Sequence, residues 1–593
     1  TWVPPHTMET TYEYNSLGNL IKRASPDAGI IKYIYDGKKR LRFSQNPRQF
    51  ENGKYSYIKY DELNRPTEAG ESNVIITSLD FDNQLELENT LAANNPDYPD
   101  SENKQITYTE YSSLSTIDFY GQTQTFIQNR VSRIIKDEDG DVNSINDQFI
   151  KNYSYDVHGN VKWLVTEDPV IGKNYISYEY DLVSGNLLEV KYNEKRTDRF
   201  FHKYKYDSDD RLILSETSRD YVNWEKDAEY EFYLHGSLKR EAIGDDNIQG
   251  TDYTYTILGW LKGINNSSTA DKDPGQDGVG GTTDFMEDVF GMSLGYYVGD
   301  YTRGNNYFNG RNQYNPTTDL YNGSISSWST RTNTGSSLTD GTNYFEYSYD
   351  NLQRIRSSHY SYSTDPLAVV SSPTDNKYAT EYTYDRNGNL DDLVRYDETG
   401  LTELDVIGYT YLPETNRLMS VSESGLVGDY KGLNGGHTYD YDASGNLTED
   451  HGVEFVDGAL NQVDLFITWT VTGKVKEVTK EIKDLSDNPI RTEKVVFHYD
   501  AMDMRVGKEH YHDYLNEPEL VDYTRYVLDA NGQTMGVYAI NVTEDQGVYT
   551  AELNLIEHPI YGSKRLGLDT KPIDPLQTWE FTSGMAPDYT YDD

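Results

Sequence analysis

One short motif constrains this chain more than any other feature, and its clearest copy is YSYDVHGNVKWL at 153–164. Tyr153 and Tyr155 are two residues apart, so on a β-strand they share one face, and an aromatic pair suits a half-buried pleated surface. Asp156 can accept a hydrogen bond from the backbone two residues on, and Gly159-Asn160 is expected to supply the positive φ angles of a tight reversal. The motif therefore predicts strand, turn and strand.

The motif recurs as YEYNSLGNL from residue 12, YEYDLVSGNLLEV from 178, YTYDRNGNL from 382 and YDYDASGNL from 439. One hairpin is marginal alone, whereas stacked units bury their tyrosine rows and pair their strand edges. We therefore assign the motif residues a structural role and prefer it to sugar stacking on exposed tyrosines. These residues are Tyr153, Tyr155, Asp156, Gly159, Asn160, Tyr178, Tyr180, Asp181, Gly185, Asn186, Tyr382, Tyr384, Asp385, Gly388, Asn389, Tyr439, Tyr441, Asp442, Gly445 and Asn446.

The composition fits a thin sheet with a small apolar core. The 593 residues include 54 Tyr against 17 Phe and 7 Trp, and the mean hydropathy is −0.78. Acidic residues outnumber basic ones 98 to 53, a net charge of −45, which argues against nucleic-acid binding because phosphate affinity comes mainly from Lys and Arg. The chain has no cysteine, and no apolar run has the length of a membrane-spanning helix.

The repeats divide the chain into blocks separated by segments of different composition. In the first insertion, a short helix could span 85–93. The expected division is 1–70, first repeat block; 71–106, insertion; 107–264, second repeat block; 265–343, Gly/Asn-rich insertion that could form a lid or a docked loop; 344–567, third repeat block; and 568–593, an irregular C-terminal stretch of what we expect to be a fragment.

Few residues suggest chemistry. Asp137, Asp139 and Asp141 have the spacing of a calcium loop, but Val142 stands where that loop needs Gly and Gln148 where it needs a bidentate acid. A solvated turn is the simpler interpretation, and calcium is a weak alternative.

A second candidate lies in KEHYHDY, where Glu509, His510, His512 and Asp513 suggest a metal. Two ligands on one strand need a third from elsewhere, so a surface strand is the preferred interpretation. The sequence has no Gly-x-Ser-x-Gly elbow, no cysteine nucleophile and no phosphate-binding glycine loop before a helix. We therefore expect no catalysis and no cofactor.

The motif Tyr-x-Tyr-Asp-x-x-Gly-Asn-Leu, at intervals of 20 to 30 residues, resembles the YD repeat of rearrangement-hotspot (RHS) proteins, which also occurs in toxin-complex shells and teneurins. The stretches YTYTILGWLKGIN, FGMSLGYYVGDYTR and PIYGSKRLG are similar to the variant found in gliding bacteria with type 9 secretion. The resemblance implies an all-β fold, a spiral of YD-repeat hairpins that forms a hollow shell.

The resemblance also implies a function. It predicts a secreted or cell-surface shell that encloses, carries or displays a polypeptide cargo, such as the C-terminal region of the same gene product. Secretion-system or cell-surface proteins are further expected partners, and a surface adhesin or an accessory of type 9 secretion is the alternative. Asp574-Pro575 is followed by Leu576-Gln577, which departs from the family's Asp-Pro-x-Gly pattern, so no self-cleavage residue and no cargo can be assigned.

Overall fold

The computed structural model describes residues 8–73, 99, 103–114, 121–140, 148–265, 274–275, 277, 285–301, 319–332, 341–364, 376–424, 436–456, 458–513, 518–545 and 548–582. Within these ranges the chain forms 37 strands and one five-residue helix. The predicted short helix at 85–93 lies outside the described residues.

The described part of the chain up to residue 265 contains 18 strands and the helix. They are β1 (Thr11–Tyr14), β2 (Leu20–Ser25), β3 (Gly29–Tyr35), β4 (Leu41–Gln45), α1 (Pro47–Glu51), β5 (Tyr55–Tyr60), β6 (Pro66–Ser72), β7 (Asn103–Tyr111), β8 (Val131–Asp137), β9 (Phe149–Tyr155), β10 (Val161–Asp168), β11 (Gly172–Tyr180), β12 (Leu187–Tyr192), β13 (Phe200–Tyr206), β14 (Leu212–Ser218), β15 (Glu225–Phe232), β16 (Leu238–Ile243), β17 (Gln249–Tyr255) and β18 (Leu261–Ile264).

The remaining strands follow in the same manner. They are β19 (Phe290–Gly295), β20 (Ser327–Thr332), β21 (Thr342–Tyr349), β22 (Ile355–Ser363), β23 (Thr380–Tyr384), β24 (Leu390–Tyr396), β25 (Glu403–Tyr411), β26 (Leu418–Glu423), β27 (His437–Tyr441), β28 (Leu447–Val456), β29 (Ala459–Trp469), β30 (Val475–Lys483), β31 (Pro489–Tyr499), β32 (Arg505–Asp513), β33 (Pro518–Leu528), β34 (Thr534–Asp545), β35 (Val548–Tyr561), β36 (Arg565–Asp569) and β37 (Gln577–Thr582).

Each strand up to β35 pairs antiparallel with the strand that precedes and follows it in the chain, and β36 and β37 both pair with β35. The result is one long meandering sheet, so the all-β prediction is confirmed. The Gly/Asn-rich segment 265–343 is more regular than predicted, because β19 and β20 continue the sheet through it.

The turn chemistry that recurs in the YD units is visible at Asp156. Its Oδ1 accepts hydrogen bonds from the backbone N–H groups of Gly159 (2.7 Å) and Asn160 (2.9 Å), and its Oδ2 accepts one from Asn160 Nδ2 (3.0 Å). Gly159 has a φ of +99°, whereas Asn160 is not among the residues of positive φ. The expectation that both residues supply positive φ angles is therefore wrong, because this longer turn needs one left-handed residue only.

A second form of the same turn uses arginine in place of asparagine. Asp61 Oδ1 accepts from the backbone N–H groups of Leu63 and Arg65 (both 2.9 Å), and Arg65 Nε donates to Asp61 Oδ2 at 2.7 Å. The left-handed position is then Asn64, with a φ of +66°. Asn and Arg are thus interchangeable here because both place an N–H donor on the second carboxylate oxygen.

The two tyrosines of a unit have different tasks. The rings of Tyr153 and Tyr155 lie on one face, with centroids 6.5 Å apart and planes 18° apart, as predicted. The second tyrosine also donates its hydroxyl to the carbonyl oxygen at the start of a strand in the preceding hairpin, as Tyr155 does to Val131 at 2.8 Å. Trp469 makes the equivalent bond to Leu447 through its indole N–H (2.8 Å). A unit that makes this bond is thereby joined to the hairpin before it.

The sheet returns to its own beginning. Hydrogen bonds join Asn416 to Asp27, Arg48 to Ser444 and Tyr178 to Ala530, across 389, 396 and 352 residues of sequence. From Lys151 on β9 to its ion-pair partner Asp500, which follows β31, the chain passes through 22 strands. The sheet is therefore wound as a spiral, and we call the contacts between β2–β16 of its first turn and β25–β37 of its second turn the seam.

The main hydrophobic core lies in the seam. It combines side chains of β9–β13, among them Leu164, Ile176 and Tyr192, with side chains of β33–β35, among them Tyr538 and Leu553. All five are at most 1% exposed. Because a single layer of the sheet cannot bury side chains by itself, the core forms where the second turn of the spiral overlaps the first.

Gly445 provides a test of the seam. Its φ is +84°, and an added methyl group would overlap the backbone carbonyl oxygen of Asp27 in the first turn. Gly185 is the glycine before the asparagine in another copy of the motif, whose turn is one residue longer. Its φ is +78°, but an added methyl would meet nothing within 4 Å. We expect Gly185→Ala to cost about 1 kcal/mol, the usual price of left-handed alanine, and Gly445→Ala roughly 1–3 kcal/mol more because of overpacking.

Thermal unfolding of both variants, followed by circular dichroism, measures this difference. Equal losses in Gly445→Ala and Gly185→Ala would contradict the close approach of the two turns at this point.

Candidate functional site: the seam between the two turns

A buried ion pair crosses the seam. Lys151 Nζ lies 2.6 Å from Asp500 Oδ2, and the two side chains are only 7% and 2% exposed. Asp500 is the aspartate of the YD unit FHYDAMDMRV, and its Oδ1 accepts from the backbone N–H groups of Met502 (2.9 Å) and Met504 (3.0 Å). The Asp500 carboxylate therefore stabilises its own hairpin turn and also binds Lys151 in the first turn of the spiral.

A second polar contact joins β12 to β34. The hydroxyls of Tyr192 and Tyr538 are hydrogen-bonded to each other, and Tyr538 also donates to Asp198 Oδ2 at 2.6 Å. Burial, reinforced by Asp198, raises the pKa of both tyrosines well above the usual value. Both phenols are therefore neutral, and Tyr538 supplies a hydrogen bond that the buried Asp198 carboxylate requires.

A third contact involves Arg525 on β33. Its guanidinium lies 3.8 Å from Asp168 of the first turn and 3.7 Å from Glu509 of β32. Burial raises the pKa of Glu509, but the hydrogen bond from His498 (2.7 Å) and the charges of His498 and Arg525 outweigh it and lower that pKa to about 2. Glu509, a metal candidate by sequence, is thus engaged in the seam on the face of β32 opposite to His510.

Two imidazoles lie in the core of the seam. His202 of β13 and His558 of β35 are 1% and 0% exposed. The ring of His558 stacks on Phe200 with centroids 4.6 Å apart, and its Nδ1 hydrogen-bonds the carbonyl oxygen of Met535 at 2.7 Å. Burial, followed by repulsion from His558, lowers the pKa of His202 to about 3, and burial also lowers the pKa of His558. Both rings are therefore neutral at pH 7.

Two described residues of the Gly/Asn-rich segment, Asp277 and Asp300, are bound to the sheet by ion pairs. Arg240 of β16 makes two hydrogen bonds to the Asp277 carboxylate (2.9 and 2.8 Å) and a close ion pair with Asp252. Lys262 of β18 binds both oxygens of Asp300, at 2.8 and 2.9 Å, with both side chains buried. Asp277 and Asp300 of this segment are thus bound to the sheet, and the docked loop stays a prediction.

The calcium candidates are only partly described. Asp137 is buried and its Oδ1 accepts a hydrogen bond from the Gly140 N–H at 2.7 Å, whereas Asp139 is exposed. Asp141 lies outside the described residues. Neither Asp137 nor Asp139 belongs to a group of three metal-ligand atoms among the described residues, and calcium binding stays a prediction.

Two groups in the described part of the chain do bring three ligand atoms together. One consists of Glu493, His510 and His512, and the other of Asp440, Glu449 and His451. In the first, sequence analysis identified the two histidines but missed Glu493, which stands opposite His512 on the neighbouring strand. The missing signal was the strand register: counting outward from the Tyr499–Arg505 pair would place Glu493 opposite Tyr511, and a bulge between His498 and Tyr499 shifts it to His512. The side chain of Asp513, the other candidate, is not described.

The five quoted motif copies differ in their surroundings. Tyr153 and Tyr178 are buried where the second turn covers them, whereas Tyr382 and Tyr439 are half-buried. In the copies from 382 and 439 the asparagine binds the turn aspartate as Asn160 binds Asp156. The turn of the copy from 178 is one residue longer: Asp181 Oδ1 accepts from the backbone N–H groups of Val183 (2.9 Å) and Ser184 (2.8 Å), and Asn186 Nδ2 donates to Asp210 Oδ1 at 2.8 Å. The motif residues of these three copies include Tyr180, Asp181, Gly185, Tyr384, Asp385, Gly388, Asn389, Tyr441, Asp442, Gly445 and Asn446.

Fold and seam together define a class: an all-β repeat protein wound as a spiral with buried polar contacts between successive turns. Among solved structures, the chain is similar to a mutant Tc holotoxin pore of Photorhabdus luminescens, with a TM-score of 0.53 and 14% identity over 93% of this chain. A crystal structure of TcdB2-TccC3 matches with a TM-score of 0.46 and 12% identity, also over 93% of this chain. This chain spans 22% and 23% of those chains, respectively.

At this level of identity the likeness concerns the fold alone. No protein-family model and no characterised protein matches the sequence. Among the described residues, no helix has the length and hydropathy to cross a bilayer.

Proposed function

We propose that this chain is a non-catalytic wall of the RHS type that encloses, carries or displays another polypeptide. The observation that carries the proposal is the seam, in which charged groups are buried between two turns of one sheet, as in the pair Lys151–Asp500. Such contacts favour a wall of successive, touching turns over an open ribbon. The YD repeats and the fold shared with a Tc holotoxin pore support the same assignment.

The dimensions of one turn support an interior space. A round turn of 22 strands, about 4.8 Å apart, has a circumference on the order of 100 Å and a diameter of about 30 Å. Facing sheets in contact lie only about 10 Å apart. Side chains from opposite sides of a single turn therefore leave room for an extended polypeptide. The acidic net charge of −45 keeps such a wall soluble and repels other acidic surfaces.

Protease protection tests enclosure. The full chain carries a C-terminal fusion of an unstructured Gly/Ser-rich segment with an epitope tag, and trypsin-accessible sites within that segment report its exposure. We expect the tag to survive protease at concentrations that digest the same segment in isolation. Lys151→Ala, which weakens the seam, should expose it, whereas Lys22→Ala, at an exposed ion pair, should not. Equal digestion of the tag in all three proteins would refute enclosure.

The finer proposal is that the chain belongs to the variant found in type 9-secreting bacteria. Its polypeptide cargo is then carried or displayed at or outside the cell surface. The alternative is an adhesin or secretion accessory whose insertions bind a partner. The strands β7, β19 and β20 occupy parts of the two insertions, so deletion of whole insertions would break the sheet. Removing only 74–98 or 302–318 spares every described strand, and loss of cell-surface binding in these variants would favour the adhesin.

A further inference from the structure

Adjacent strands of the second turn bring two histidines and a glutamate together. His510 and His512 alternate on β32 and share a face, and their rings meet edge to face with centroids 4.7 Å apart. Glu493 is the Cα partner of His512 on β31. One ligand atom from each of the three side chains lies within 4.8 Å of the other two, and all three residues are half-buried.

This donor set matches the preferences of zinc. Zinc binds imidazole nitrogens and carboxylate oxygens at about 2.0–2.2 Å, which places the ligand atoms of a tetrahedral site about 3.3–3.6 Å apart. Small side-chain rotations therefore suffice to close the 4.8 Å triad around an ion. The backbone of paired β-strands holds the three Cα atoms in place, so little ordering is needed on binding.

The site faces away from the seam. Glu509 lies between His510 and Lys508 in sequence, so its side chain points to the opposite face of β32, where it contacts Arg525. His510 pairs across β33 with Asp522, and that carboxylate holds Lys508 Nζ at 2.7 Å. Asp522 therefore neutralises the positive charge of Lys508 beside the triad.

The second triad is organised differently. Both ring nitrogens of His451 are hydrogen-bonded to carboxylates, Nδ1 to Asp464 (2.8 Å) and Nε2 to Glu449 (2.9 Å). Asp464 in turn binds Lys483 at 2.9 Å. These charges are paired with each other, so an ion would have to displace existing bonds. Glu493 of the first triad is also ion-paired, with Arg491 Nε at 2.8 Å, so an ion there would share that carboxylate with Arg491. His451, whose ring is held between two carboxylates, serves as the control.

We propose that His510, His512 and Glu493 form a binding site for a divalent transition-metal ion, with zinc as the preferred ion. The three ligands leave a fourth tetrahedral position for water or an external ligand. A bound ion would link β31 to β32 on the face of the wall that the seam leaves uncovered. The site is independent of whether the wall encloses a polypeptide.

The test is zinc binding by the untagged, metal-free full chain at pH 7.5, measured by isothermal titration calorimetry, with Co²⁺ absorption to report the coordination geometry. We expect one equivalent of Zn²⁺ to bind and the thermal midpoint to rise with zinc concentration, since a ligand of the native state stabilises it. His512→Ala and His510→Ala should each weaken binding at least tenfold, and Glu493→Gln should weaken it similarly.

The control His451→Ala should leave both the stoichiometry and the zinc-induced thermal shift unchanged. Circular dichroism confirms that each variant is folded before titration. Absence of binding by the parent chain, or zinc affinity that survives in His510→Ala/His512→Ala, overturns the proposal. Loss of binding in His451→Ala with retention in His512→Ala would instead assign the metal to the second triad.

Discussion

Replacing Lys151 by alanine is expected to destabilise the spiral more than any change to a surface charge. The substitution leaves the Asp500 carboxylate, which is 2% exposed, buried in the seam without its ammonium partner. Removing one member of a buried ion pair typically costs about 3–5 kcal/mol. Thermal and urea unfolding of the full chain measure the loss, and limited proteolysis should show first cleavage at the seam.

Two further variants make this result specific. Lys22→Ala removes an ion pair with Glu13 whose side chains are 33% and 56% exposed, and exposed pairs contribute about 0–1 kcal/mol. Lys151→Met combined with Asp500→Asn removes both charges and keeps the turn acceptor of residue 500, so much of the stability should return. A loss in Lys151→Ala no larger than in Lys22→Ala would show that the pair does not hold the turns together.

The local structure was predictable because it depends on local chemistry. Asp156, Gly159 and the Tyr153–Tyr155 pair satisfy one another within a single hairpin, so their positions in sequence determine strand, turn and strand. The number of left-handed residues was not predictable from composition, since Gly-Asn is also typical of two-residue turns. The four-residue YD turn places its asparagine on the Asp156 carboxylate instead.

The seam was not predictable, because nothing local distinguishes the motif copies that meet it. Tyr153 and Tyr382 occupy the same position in their units, yet only Tyr153 is covered by the second turn. Likewise Asp500 and Asp385 form equivalent turns, and only the spiral's circumference decides that Asp500 meets Lys151. That circumference depends on the sheet's coiling over 22 strands, a property that accumulates along the chain. The pairing of Glu493 with His512 did not follow from the turn at Asp500 alone either, because a bulge between His498 and Tyr499 shifts the register by one residue.

Acid is expected to weaken the seam through His202. The pKa of His202 is about 3 in the folded protein and 6.5 without the fold, so the unfolded chain binds the proton more tightly. The stabilisation that this neutral ring provides is fully present above pH 6.5 and is lost as the pH falls toward 3. By pH 4 the loss amounts to about 3 kcal/mol, and protonation of His558, whose pKa is also lowered, adds to it.

His202→Leu separates this effect from the titration of the many carboxylates. The variant keeps an apolar side chain beside Phe200 and Tyr204, which contact the His202 ring, and cannot take up the proton. Thermal midpoints at pH 7, 5.5 and 4 should therefore fall less steeply in His202→Leu than in the parent chain. His235→Leu, at an exposed histidine, should follow the parent. If the parent and His202→Leu lose stability in parallel down to pH 4, the buried imidazole is not what makes the seam sensitive to acid. A thermal midpoint that falls less steeply with pH in His202→Leu would show that the contact between the two turns of the spiral depends on pH. The reason is that the His202 ring, which is neutral in the closed seam, takes up a proton when the seam opens.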